Sequence, residues 1–185
     1  MKSREDAWLL VTEWTASESL RGHMLAVETA MCGAARRMGG DEALWGMTGL
    51  LHDFDYERFP TLPDHPLKGA AVLRADGYPD SLIQAILGHA AEVTGVSRDT
   101  ELARYLFATD ELAGFLIAVA YVRPTRKLAE VEVSSVRKKL KDKGFARSVS
   151  RDDIVQGAEE IGVSLDDHIA FVLADLKANA AALGV

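Results

Sequence analysis

The sequence predicts an all-α fold: a bundle-like domain with a short helical C-terminal extension. Alanine and leucine are abundant in a chain with only 7% aromatic residues, and both are strong helix formers. Apolar residues recur at spacings of three and four in one segment after another. Outside LAEVEVSSV, no run of five residues alternates as a half-buried strand would. LAEVEVSSV (128–136) comes nearest, and helical or irregular structure is expected there.

A first amphipathic helix is expected over 4–16, with Ala7, Leu10, Val11 and Trp14 at helical spacing. Ser17 or Ser19 caps the next, which runs to about Arg37 and ends at Met38-Gly39-Gly40, with Arg36 and Arg37 suited to its last turn. Asp41 caps a third helix over 42–52, with His52-Asp53 at its end. Residues 54–64, FDYERFPTLPD, form a loop. His65 opens a fourth helix with Pro66 just inside it, ending near Gly77. Pro79-Asp80 starts a fifth, which carries His89, and 95–99 is a loop. A longer helix from about Thr100 to Tyr121 carries Asp110 on the face of Leu102, Leu106, Ala113 and Ile117, and Arg123-Pro124 breaks it. Ser150 with Asp153 and Ser164 with Asp167 resemble capping pairs for helices at 151–161 and 165–182. Residues 1–122 are read as the core and 123–185 as the extension, packed on the same domain.

A chain of 185 residues that is 48% apolar suffices for one sizeable core. Its formal charge of −7 disfavours duplex nucleic acid and anionic membrane as partners. The single cysteine, Cys32, forms no internal disulfide, and its Ala, Met and Gly neighbours suit a small core or interface residue. The N-terminal MKSREDAWLL lacks a signal-peptide apolar core, and no apolar run reaches the length of a membrane span. A cytoplasmic protein is expected, and a homo-oligomer remains compatible with the sequence.

The chemistry is carried by His23, His52-Asp53, His65, His89 and Asp110. Each stands in or beside an apolar stretch: RGHMLAVETAM, MTGLLHDFDY, DHPLKGAAVL, AILGHAAEV and LFATDELAGFL. Burying four imidazoles without a shared purpose costs desolvation four times over. A divalent metal removes that conflict, because it binds neutral imidazole and ionised carboxylate together. His23, His52, Asp53 and Asp110 make one N/O site with open positions for water, and His65 and His89 can supply a second ion.

The order His, His-Asp, His, His, Asp resembles the HD-domain superfamily of metal-dependent phosphohydrolases in its longer, HDIG-like form, from about Arg21 to Leu116. LLHDFDYERFP is similar to the family's first strong motif, HPLKGAAVL to the following segment, AILGHAAEVTG to the next histidine helix and ATDELAGFL to the final aspartate helix. Two departures stand out. Phe54-Asp55 replaces the family's Ile-Gly, and Tyr56 and Glu57 stand where a phosphate-contacting lysine often follows. The resemblance implies an HD-domain-like helical bundle in which Asp53 bridges two ions. His23, His52 and Asp110 would hold the first ion, His65 and His89 the second. Manganese, iron, cobalt, magnesium, nickel and zinc all suit such donors. One ion instead of two, with His65 and His89 binding phosphate, stays open.

The activity expected is hydrolysis of a small phosphorylated molecule, such as a nucleotide, by metal-activated water. The alternatives are a di-iron oxygenase of the same ligand pattern and a regulatory domain that binds a nucleotide without turnover. Asp53, Asp55 and Lys68 are the candidate catalytic residues. Asp55 lies beside the dyad, where it could orient a ligand or a water, and of Asp55, Glu57 and Asp64 it is the best placed as a general acid. Lys68 is expected one turn from His65 on the same helix face, within reach of phosphate. Glu57 and Asp64 could orient ligands or a water. Arg123, Arg126 and Lys127 could line the mouth of the site, the run Arg137 to Lys143 is more often a solvated face, and His168 is expected to be exposed and outside the site.

Overall fold

The computed structural model describes residues 2–185, and the described residues form eleven α-helices without a strand. They are α1 (Arg4–Trp14), α2 (Glu18–Met38), α3 (Glu42–Leu51), α4 (Asp64–Ala75), α5 (Asp80–His89), α6 (Ala91–Thr94), α7 (Glu101–Tyr121), α8 (Val133–Leu140), α9 (Arg151–Glu160), α10 (Leu165–Ala178) and α11 (Ala180–Leu183). A 3₁₀ turn spans Leu128–Glu130, inside the segment where alternation came nearest to a strand.

Local chemistry accounts for most boundaries. The side chains of Ser3, Ser17, Asp41, Thr100, Ser150 and Ser164 each accept a hydrogen bond from a backbone N–H of the first turn that would otherwise lack a partner. Arg36 and Arg37 lie in the last turn of α2, where the helix dipole favours cations. The expected helix over 165–182 is instead two, because Asn179 leaves helical geometry (φ −118°, ψ 15°). The short α6 and α8 were not anticipated as separate helices.

The long helices α2 and α7 form the centre of the bundle. The α3 helix lies along α2, α5 and α9 lie along α7, and α10 packs on both α2 and α7. Met24 and Met31 of α2, Leu50 and Leu51 of α3, and Leu106 and Phe115 of α7 are fully buried between these layers. Burying such a side chain is worth about 1.5–3 kcal/mol. The helices α9 and α7 approach closely because Gly157 has no side chain: a Cβ there would lie 2.5 Å from the Ala108 Cα. No helix among the described residues is long and apolar enough to cross a membrane.

His168 corrects an expectation. Its neighbours Asp166 and Asp167 suggested a solvated turn, but its side chain is buried and Nε2 donates to the Ala108 carbonyl at 2.8 Å. The two aspartates belong to the exposed first turn of α10, whereas His168 shares the inward face with Ile169, Val172 and Leu176. Burial lowers the His168 pKa, so the ring is neutral.

Candidate metal centre

Four helices and one helix end bring the polar landmarks together. His23 comes from α2, His52 from the C-cap of α3 with Asp53 next to it, His65 from the start of α4, His89 from the last position of α5, and Asp110 from α7. They form two groups of three, His23-His52-Asp110 and Asp53-His65-His89, each with donor atoms within 4.8 Å of one another.

Asp53 lies between the groups. Its Oδ2 is 3.5 Å from His52 Nε2 and 3.8 Å from His23 Nε2. Its Oδ1 is 3.3 Å from His65 Nε2 and 3.9 Å from His89 Nε2. One carboxylate thus presents a different oxygen to each histidine pair. Asp110 Oδ1 lies 3.0 Å from His23 Nε2 and 3.2 Å from His52 Nε2.

The other ring nitrogens decide which atoms are free. His52 Nδ1 faces the Gly49 carbonyl at 2.8 Å and His89 Nδ1 faces the Ile86 carbonyl. A carbonyl only accepts, so both Nδ1 atoms carry hydrogen. His65 Nδ1 donates to Asp55 Oδ1 at 2.7 Å. In the neutral rings Nε2 is then a bare lone pair. The lone pair of His52 Nε2 faces the Asp110 oxygen, and that of His65 Nε2 faces His89 Nε2 at 3.3 Å. Acceptor against acceptor at this distance is repulsive unless a proton or a metal cation stands between them, so the donor set fits divalent metal.

The same conflict governs protonation when no metal is bound. Burial disfavours a charged His52, yet the Asp53 and Asp110 carboxylates outweigh it and hold its pKa at about 10. His65 is also buried, and Asp53 and Asp55 raise it to about 9. Desolvation dominates at His89 and lowers it. The imidazoliums in turn hold Asp53 and Asp110 below the usual carboxylate range against the effect of burial.

Asp55 is not placed as a general acid. It is buried and turned away from the centre, and its second oxygen accepts from the Gly69 N–H at 2.8 Å. The fit is tight: a Cβ on Gly69 would lie 2.6 Å from the Asp55 carboxylate. Asp55 therefore fixes the orientation and tautomer of His65. Lys68 is exposed and lines no part of the central cleft. The expected stacking of Lys68 over His65 fails because His65 itself is not helical (φ −79°, ψ 132°) and lies off the ladder that starts at Pro66. Glu57 accepts from the Ser17 N–H at 2.9 Å, and Asp64 is exposed. Arg126 and Lys127 line a separate depression beside α11, and Arg123 does not line the cleft. In the basic run, Arg137 pairs with Asp166 and Lys139 with Asp142 on the surface. Cys32 is partly buried, and desolvation with Glu28 nearby pushes its thiol up to about 11.

The centre opens into a cleft of about 380 Å³. Beyond the histidines and aspartates already named, its walls include Tyr56, Glu92, Phe107, Glu111, Val149 and Asp153, and no lysine or arginine lines it among the described residues. The Tyr56 ring stands edge-on to His65, 5.2 Å between centroids. Burial first, and the neighbouring Asp110 second, push Glu111 up to about 7. The sequence did not single out Glu111, although its place beside Asp110 was a usable signal. Val149 and Asp153 had none, since only the tertiary fold brings them to the cleft.

A family model described as HD domain matches residues 20–114, just over half of the chain. No solved structure matches it.

Proposed function

The chain belongs to the HD-domain family, and from that premise we propose that it is a metal-dependent phosphohydrolase of HDIG-like type acting on a small phosphorylated molecule, such as a nucleotide. The observation that supports this most is Asp53, whose two oxygens face separate histidine pairs. A pair of divalent cations, held by this donor set, would supply an activated water near neutral pH and would neutralise charge developing on the phosphoryl group. The rest is done by the chain. His23, His52 and Asp110 form one half of the donor set, and His65 and His89 the other. Backbone carbonyls of Gly49 and Ile86, and the Asp55 carboxylate, hold three of the rings with Nε2 inward. No lysine or arginine lines the cleft among the described residues, so attraction for phosphate would come from the metals.

The test is hydrolysis of a phosphomonoester and phosphodiester panel by protein loaded with manganese or cobalt, beside Asp53→Ala. Turnover lost in the variant with helical content intact is expected. Activity retained by Asp53→Ala would overturn the proposal. The same donors accept iron, so iron in protein purified anaerobically, with turnover that requires O₂, would redirect it to oxygenase chemistry.

A further inference from the structure

The HD-domain match ends at residue 114, yet the cleft does not. Two of its lining residues, Val149 and Asp153, come from the C-terminal extension. They flank the junction between the connection 141–150 and α9, and one side chain holds that connection in place. The Arg151 guanidinium donates to the carbonyls of Ala146 at 2.5 Å and Val149 at 2.7 Å, to that of Phe145, and to that of Asp142 at 3.5 Å. Its carbon lies 5.0 Å from the centroid of the Phe115 ring, which packs edge-on against Phe145 at 5.4 Å. Phe115 follows Gly114, itself part of the cleft wall.

Arg151 is placed against its own electrostatic preference. It is the first residue of α9, where the helix dipole disfavours a cation. No carboxylate pairs with it among the described residues. Its charge is used on carbonyl oxygens of a chain reversal that includes Ala146 in the left-handed region (φ 41°). Such charge-assisted bonds fix a loop more firmly than neutral ones.

We infer that residues 141–153 form a substrate-reading wall of the metal cleft, with Arg151 as the positioning residue that sets Val149 and Asp153 against the part of the ester beyond its phosphoryl group. The kinetic side of this inference rests on the hydrolase reading above. The wall is fixed before substrate arrives, so it acts on binding and leaves the metal donors untouched.

The test uses full-length, manganese-loaded wild type, Arg151→Ala, Arg151→Lys and Val149→Phe. The last narrows the cleft while keeping Arg151 and every backbone carbonyl that it holds. The probes are p-nitrophenyl phosphate and the bulkier bis(p-nitrophenyl) phosphate, together with trypsin, for which Lys141, Lys143 and Arg147 are exposed. In Arg151→Ala, cleavage within 141–151 should quicken with metal content unchanged. Its KM for the bis ester should rise about tenfold with kcat nearly constant, the pattern of lost binding that is uniform between ground and transition states. Arg151→Lys should restore part of this, and Val149→Phe should raise KM for the bis ester more than for the mono ester. A loosened connection with wild-type KM for both esters would overturn the inference, as would unchanged cleavage in Arg151→Ala. If wild type hydrolyses neither ester, the wall is judged by protection alone. Slower tryptic cleavage at 141–151 of wild type with the bis ester supports it, and no slowing refutes it.

Discussion

Asp55→Asn isolates what the second half of the donor set requires. The native carboxylate accepts twice, from His65 Nδ1 at 2.7 Å and from the Gly69 N–H at 2.8 Å. An asparagine of the same shape can accept on one side only. With its oxygen toward His65, its NH₂ meets the Gly69 N–H, donor against donor. With its oxygen toward Gly69, its NH₂ meets His65 Nδ1 and drives the hydrogen to Nε2, where the lone pair for a metal has to be. The site is buried, so neither orientation finds relief in water. Leaving a buried donor unsatisfied costs about 1–3 kcal/mol. Loss of a carboxylate behind a metal-ligating histidine typically weakens metal binding about 10–100-fold, or roughly 1.4–2.7 kcal/mol. Calorimetric titration of metal-free protein with manganese should therefore show one site weakened by that factor and one near its wild-type affinity, since His23, His52 and Asp110 do not touch Asp55. Urea unfolding of the metal-free variant should show about 1–3 kcal/mol lost. Unchanged affinity at both sites, or equal weakening of both, would refute the assignment of Asp55 to His65 alone.

Gly157→Ala places a Cβ 2.5 Å from the Ala108 Cα, a backbone contact that cannot yield cheaply, so urea unfolding should show a loss of about 1–3 kcal/mol or more. His168→Ala removes a buried ring and its bond to the Ala108 carbonyl; about 2–4 kcal/mol of stability should be lost, with metal stoichiometry unchanged. In chelator-treated protein, His52 and His65 are raised from 6.5 to about 10 and about 9. Their stabilisation is thus fully present below pH 6.5 and lost as pH climbs through those values. Asp53 and Asp110 are depressed from 3.8, so theirs is present above that value and lost on further acidification. Thermal melts of the metal-free protein should fall at both extremes, and metal should remove the alkaline fall because it takes the place of those protons.

The helices were legible where caps and periodicity act locally, as at Ser17, Asp41, Ser150 and Ser164. The six donor-type residues were legible because imidazoles inside apolar helices need a shared reason to be there. Asp55 was legible in part: its place beside His52-Asp53 suggests a residue that orients a ligand, as it does for His65, but not a general acid, because a sharp turn points it at His65 and Gly69. Gly69, four residues past His65, was the available hint that something approaches the backbone closely. Lys68 was misplaced because helical spacing was counted from His65, whose backbone is not helical. His168 was recoverable from the sequence, as it falls in register with Ile169, Val172 and Leu176. The cleft walls from α9 and its preceding connection were not, because nothing local in 141–153 encodes its docking on α7.

Elemental analysis of wild type and Asp53→Ala, each reconstituted with manganese and freed of excess metal, tests most directly the claim that one carboxylate joins two halves of a metal centre. The account predicts about two ions per chain in wild type and loss of both in the variant, because Asp53 serves both histidine pairs. Two ions retained by Asp53→Ala, or none taken up by wild type, would contradict it.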